Sequence, residues 1–202
     1  MANALLVEVP FCAFRPFTSR EYQDTYPIPP PSAVYGMLLS LVGVDRDEKT
    51  IHRGAEMAIA VEQLPQKAKV FRKLRRGKTL GELRPDYQDL LLDLRLWVWL
   101  RRGGDSATEC LAEKVVRAIE CPATITRSGG LSLGESSYLV DTVRLEEPPA
   151  IEGVFLQADA AGFYSLPVWV DHADAQQTRS QRFSLVPRML SEGPNGCWIE
   201  IP

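Results

Sequence analysis

Seven cations, Lys67, Lys69, Arg72, Lys73, Arg75, Arg76 and Lys78, fall within the twelve residues 67–78, and no acid separates them. Ammonium and guanidinium groups neutralise phosphates and release counterions, and with acids and bases nearly balanced overall any nucleic-acid site must be a local patch of this kind. The whole chain has a formal charge of −3, and removing these seven charges would leave −10, so an acidic body carries one basic arm. Gly77 and Gly81 supply turn positions, and the arm is too polar for a core, which points to a projecting hairpin or loop. A second set is the loop from Arg127 and Ser128 through Gly129, Gly130 and Gly134, where bare backbone N–H groups can approach phosphates; an ordinary connector has the same composition. A third is the strand-like stretch 90–102, one face of which carries Asp93, Arg95, Trp97, Trp99 and Arg101. Rings and guanidinium planes both stack on bases, while burial of the two tryptophans under the C-terminal third is the structural alternative.

Other chemistries find less support. The chain has two histidines, His52 and His172, and four cysteines, Cys12, Cys110, Cys121 and Cys197, with no C-x-x-C pair, so neither a zinc site nor any other cofactor is expected. Free thiols in a reducing cytoplasm follow. No phosphate-cradling G-x-x-x-x-G-K-S/T or G-x-G-x-x-G motif is present. No run of 18 apolar residues occurs, and the opening Met-Ala-Asn-Ala lacks a cationic segment, so neither a membrane partner nor a secretory signal is expected.

The elements that position these groups can be read from the pattern. With 202 residues and 45% hydrophobic residues, one domain with a proper core is expected. Leu5, Val7 and Val9 alternate in a first strand that Pro10 should end. Pro27, Pro29, Pro30 and Pro31 hold an extended path to Ser32, an expected N-cap. Val34, Met37, Leu38, Leu41 and Val42 then form a helical stripe ending at Gly43, beside a small-residue face of Ala33, Gly36, Ser40 and Gly43 on which close packing, with the sheet as the ordinary reading, is expected. A short polar helix about 45–53, a strand 57–64, the basic arm and the strand 90–102 follow. Ser106 and Glu109 match a capping box before a second helix stopped by Pro122, and a strand about 138–145 closes the unit. The order β-α-β, arm, β-α-β predicts an α+β, ferredoxin-like sheet with helices on one face. Pro148 and Pro149 mark a boundary between a domain 1–148 and a small β-rich C-terminal extension 149–202 packed on it.

The stretches Phe14-Arg15-Pro16-Phe17, Tyr26-Pro27-Ile28-Pro29-Pro30-Pro31-Ser32-Ala33-Val34-Tyr35-Gly36-Met37-Leu38 and Leu41-Val42-Gly43 resemble the CRISPR-associated RAMP family that caps the 5′ handle of crRNA in type I Cascade complexes, the Cas-five family. Leu133-Gly134-Glu135 is similar to a glycine-loop stretch of that family, and the basic arm falls where the family inserts its thumb. The resemblance implies a thumb at about 66–87 that reaches a neighbouring backbone RAMP subunit and bends the crRNA. It also implies a handle cradle made by the N-terminal linker, the start of the Ser32 helix and the 127–136 loop, a large PAM-reading partner subunit, and target DNA contacted only indirectly. The residues it singles out are Arg15, Arg20, Tyr26, Ser32, Arg127 and Ser128 for the handle and Lys67, Lys69, Arg72, Lys73, Arg75 and Arg76 for the thumb.

The function expected is a non-catalytic RNA-binding subunit, cytoplasmic and cofactor-free. A metal-independent endoribonuclease that cuts the CRISPR repeat is the alternative; it needs a base for the 2′-hydroxyl and an acid for the leaving oxygen, roles open to His52, Tyr22, Tyr26, Lys67 and Lys69, though no compact grouping is visible. A protein-binding scaffold using the arm as a docking element is the third reading.

Overall fold

The computed structural model describes residues 4–16, 19, 22–75, 83–127, 129–171 and 174–202. One large, mainly antiparallel sheet forms its frame. The strands are β1 (Ala4–Cys12), β2 (Tyr22–Gln23), β3 (Glu56–Val61), β4 (Gln66–Arg75), β5 (Leu83–Arg101), β6 (Thr142–Glu146), β7 (Glu152–Ala158), β8 (Tyr164–Trp169), β9 (Arg179–Met189) and β10 (Ile199–Glu200), with helices α1 (Pro31–Leu41) and α2 (Leu111–Glu120). The main path runs β6-β1-β5-β3-β7-β9-β8, while β10 pairs with β3, and β2 and β4 with β5.

Strand alternation places two different sets of side chains on the two faces of this sheet. Leu5, Val7 and Val9 of β1, Met57, Ile59 and Val61 of β3, and Leu94, Leu96 and Val98 of β5 join one core with Val34, Leu38, Leu111 and Val115 from the helices. The opposite face carries Ala4, Leu6, Ala58, Ala60, Trp97 and Trp99, and they pack with Phe155, Leu190 and Cys197. Trp97 and Trp99 are 1% and 4% exposed, and Trp99 stacks on Phe155 at 5.3 Å. The two tryptophans are therefore core, which removes them as a base-stacking surface.

β5 is the organising strand because each of its edges is shared. β1 pairs with it along Leu91–Val98 and β2 continues at Tyr87 and Gln88 on one side; on the other, β3 covers Leu96–Arg101 and β4 covers Leu83–Leu92. The change from β3 to β4 falls at Asp93, whose φ of +54 is a left-handed conformation that aspartate tolerates better than most residues. Toward its start β5 keeps β4 on this edge while β1 (to Leu91) and then β2 (Tyr87, Gln88) line the other, and at 83–86 only β4 pairs with it; this β4–β5 pair is the ribbon.

Several boundaries differ from the pattern reading. β1 runs through Pro10 to Cys12, because β6 pairs only with Ala4–Glu8 and a proline beyond that point removes no ladder bond on that side. α1 begins at Pro31, with Pro30 rather than Ser32 as N-cap; proline fits the first helical position because its missing N–H has no intrahelical partner there. α2 begins at Leu111, not after Ser106: Glu113 accepts the Cys110 amide at 2.8 Å, completing a capping box around Cys110. The turn before it is held by Asp105, which accepts the Ala107 and Leu111 amides at 2.9 and 2.8 Å and bonds His52 Nδ1 at 2.8 Å. Burial opposes the Asp105 charge, but those amides and His52 outweigh it and hold the carboxyl below its ordinary range. The fourth strand of the predicted unit, β6, starts at Thr142 rather than Tyr138.

The strands after Pro149 extend the same sheet through β7 beside β3. β7 and β8 flank β9, and the segment joining them crosses β9 at Phe183, where a Cβ on Gly162 would lie 2.4 Å from the Phe183 carbonyl. No helix among the described residues is long and apolar enough to cross a membrane.

Candidate nucleic-acid interface

The ribbon brings together groups far apart in sequence. Register sets Phe71 opposite Tyr87 and Lys69 opposite Asp89, while β2 lays Tyr22 beside Tyr87 on the other edge of β5. The Phe71 and Tyr87 rings meet edge to face at 5.4 Å, and both are about half exposed, 51% and 46%. Lys69 Nζ stands 5.1 Å from the centre of the Tyr22 ring, itself 42% exposed. Tyr22 is fixed by donating its hydroxyl to Asp89 Oδ1 at 2.5 Å. Exposed rings offer faces on which unstacked bases can lie, and the nearby ammonium offers a phosphate contact.

Lys67 has a different place. Its Nζ lies 2.8 Å from Asp24 and 2.5 Å from Asp89. Burial works against the Lys67 ammonium, but the two carboxylates outweigh it and raise its pKa; the Lys67 bond in turn lowers Asp24. Lys67 therefore holds the base of the ribbon together. Arg72, Lys73 and Arg75 are on the described backbone of β4, whereas Arg76 lies outside the described residues, as do Lys78, Gly77 and Gly81.

A second assembly forms around the exit of β1. Tyr26 N–H donates to the Phe14 carbonyl at 2.9 Å, Phe14 N–H donates to Thr25 Oγ1 at 2.8 Å, and Glu135 N–H donates to the Ala13 carbonyl at 3.3 Å. Gly134, at φ +89, packs where a Cβ would lie 2.4 Å from the Ala13 carbonyl, so this glycine is what lets the 129–139 loop close on the strand. Arg15 is exposed beside this junction, and Tyr26 is half-buried, with its hydroxyl pKa raised by burial. Arg20 and Ser128 lie outside the described residues. Gln88 Nε2 donates to Glu135 Oε2 at 3.1 Å, which ties this loop to the root of the ribbon.

The small-residue face of α1 is open at Gly36, where a Cβ would meet no atom within 4 Å, and closely packed at Gly43, where a Cβ would lie 2.6 Å from the Thr126 carbonyl. The sheet takes the other side of the helix, and this side floors a cleft of about 390 Å³ lined by Ser32, Gly36, Ser40, Arg46, Lys49, Arg127 and Trp169. Lys49 and Arg53 each lie 4.7 Å from the centre of the Trp169 ring, and Lys49 also donates to the Val170 carbonyl at 2.7 Å. Ser32 and Arg127 thus share one cleft, although Ser32 does not cap the helix.

Sequence reasoning missed Phe71, hidden inside the charge run, Tyr87, beyond its end, and the Arg46, Lys49 and Trp169 wall of the cleft. The alternation of Lys67, Lys69 and Phe71 was a usable signal for a common face; the ring opposite it required the register. His52 is buried against Asp105, and its Nε2 has no hydrogen-bond partner among the described residues. It does not reach the ribbon or cleft surface, and His172 lies outside the described residues.

Residues 4–183 match the family described as CRISPR-associated protein (Cas_Cas5). A CRISPR-associated protein Cas5 of Myxococcus xanthus (strain DK1622) is 41% identical over 188 residues, covering 87% of this chain and 86% of that protein. Among solved structures, a chain of a CRISPR RNA-guided surveillance complex superposes with a TM-score of 0.63 at 16% identity, over 92% of this chain and 90% of the other. A second, described as a crystal structure of a Cas protein, gives a TM-score of 0.53 at 16% identity, over 93% and 94%.

Proposed function

The chain belongs to the CRISPR-associated Cas5 family, and on that premise we propose that it is the non-catalytic subunit of a type I surveillance complex that holds the 5′ handle of crRNA. The observation that carries this reading is the ribbon face on which Tyr22, Phe71 and Tyr87 stand exposed beside Lys69, at the root of the most basic stretch of the chain. A single-stranded RNA needs this combination: rings accept splayed bases whatever their identity, and cations follow the phosphates.

In this reading 66–87 is the thumb, directed at a backbone RAMP subunit, and the strands β6-β1-β5-β3 with α1 and α2 are a ferredoxin-like core. Residues 149–202 extend it. Arg15, Tyr26 and the 129–139 loop form one side of the handle path; Ser32 and Arg127 line the cleft on the other. The complex works in the cytoplasm, a large subunit reads the PAM, and base pairing by the guide reads the target DNA. The reading needs no cofactor, and burial of His52 and ion pairing of Lys67 support a holding role over strand cleavage.

The test is one incubation of the purified chain with end-labelled CRISPR repeat RNA in excess EDTA, split between native and denaturing gels. The expected result is a shifted, uncut band that is lost as salt rises. A specific cut in EDTA would replace this reading with the endoribonuclease. If free RNA is not shifted, co-expression with the other subunits must recover this chain with crRNA, and its failure to do so would end the proposal.

A further inference from the structure

Gly36 is the only glycine inside α1 and stands at its middle. A glycine in a helix interior is less stable than alanine, because it adds freedom to the unfolded chain, so its presence there asks for a physical reason. The two reasons internal to a fold both fail. Its backbone is helical rather than left-handed, unlike Gly43 at φ +74. No neighbour presses on it either: the residue is exposed, and a Cβ would meet no atom within 4 Å. What lies over it is the cleft of about 390 Å³, whose lining carries Arg46, Lys49 and Arg127 against a single acid, Asp45. Among the described residues none of these three cations is ion-paired. Lys49 is nonetheless held in position, by its bond to the Val170 carbonyl at 2.7 Å and by the Trp169 ring at 4.7 Å.

We propose that Gly36 keeps the floor of this cleft low so that the sugar–phosphate backbone of single-stranded RNA lies against α1, its phosphates met by Lys49 beside β8 and by Arg127 at the glycine loop. The inference rests on the handle reading and deepens it, by naming the part of the RNA and the turn of helix that receives it. The lining selects backbone over base. Its cations, with the hydroxyls of Ser32, Ser40 and Ser132, donate to phosphate oxygens and 2′-hydroxyls. Its two large rings, Tyr35 and Trp169, are only 4% and 5% exposed, so a base finds no open face to stack on there. Glycine is the residue that lets another backbone come this close, and any side chain at 36 projects into the space. Because Trp169 and Val170 form part of the lining, the C-terminal strands build one wall of the RNA site as well as extending the sheet.

The test uses the full chain in the form that retains repeat RNA, alone or co-expressed with the Cas proteins of its locus. Gly36→Ala should raise the thermal midpoint by about 2 °C, since the helix gains and nothing is displaced. Gly36→Leu keeps a strong helix former and fills the cleft: RNA affinity should fall about 10-fold or more with the midpoint no lower than wild type. Lys49→Gln should lower the slope of log affinity against log salt by about 0.7. A short photoreactive azide on Ser40→Cys, with the exposed Cys121 replaced by serine, should label RNA. Full RNA affinity in Gly36→Leu, a lowered midpoint in Gly36→Ala, or labelling of another protein subunit from position 40 would each overturn the inference. Failure of the handle reading shows separately, as an unmodified chain that retains no RNA in either form.

Discussion

The two halves of β5 make opposite use of the same extended backbone. From 94 to 99 the strand is covered on both faces, with Leu94, Leu96 and Val98 in one core and Trp97 and Trp99 in the other. Before Asp93 it has β4 and β2 as edge partners, and Tyr87 stands half exposed. The inner half spends its aromatic area on stability and the outer half leaves its aromatic area available. A ring's function is set here by what lies over it, not by its residue type.

This contrast predicts that damage to the body changes stability while damage to the ribbon changes RNA affinity. Trp99→Ala should cost about 3 to 5 kcal/mol of unfolding free energy, read by urea titration, with RNA affinity retained in the folded fraction. Loss of RNA binding at unchanged stability would break the comparison. Asp105→Ala should cost about 3 kcal/mol, because the Ala107 and Leu111 amides and His52 lose a common acceptor. Since the folded pKa of Asp105 is depressed, its contribution is full above the unfolded carboxylate value and disappears as pH falls through the lower folded value. Urea midpoints of wild type and Asp105→Asn, measured downward from neutral pH, should therefore converge in acid, and a constant gap would contradict the sign.

On the ribbon the effects are smaller and of another kind. Replacing Phe71 and Tyr87 together by alanine should weaken RNA binding by about 1 to 3 kcal/mol for each base stacked there, with an unchanged thermal midpoint. A large drop in midpoint would show that the pair is structural. Finest of all is a comparison of neighbouring lysines in salt titrations. Lys69→Ala should reduce the salt slope by about 0.7, whereas Lys67→Ala should leave the slope in place and instead cost about 1 to 3 kcal/mol of stability, because the buried Asp89 carboxylate loses its cation.

Much of this arrangement was legible in the sequence where the signal is local. Alternation marked β1 and β5, the apolar stripe marked α1, and Gly43 ended it at φ +74 as a residue past the helix should. The family was legible too, in the proline-led segment before α1. What was not legible depends on contacts between distant residues. Nothing near Trp97 says that Phe155 and Leu190 will cover it, and nothing in 67–78 says that Tyr22 and Tyr87 will join Lys69 and Phe71. The empty space over Gly36 was misread for the same reason: a glycine in a helix signals either close approach or deliberate room, and only the fold decides. Ser32 and Ser106 failed as caps because Pro31 and Cys110 set the helix starts.

The crossing over Phe183 also has a meaning in time. β8 takes its ladder from β9, which is made after it, so a chain that has emerged only as far as Thr178 holds β7 and β8 with no strand between them. β7 pairs with 183–189 of β9 and β8 with 179–183, so β8 cannot join the sheet until β9 has been made. The pairing of β1, β3 and β4 with β5 can form earlier, whereas Trp97 and Trp99 gain the cover of Leu190 and Cys197 only after it.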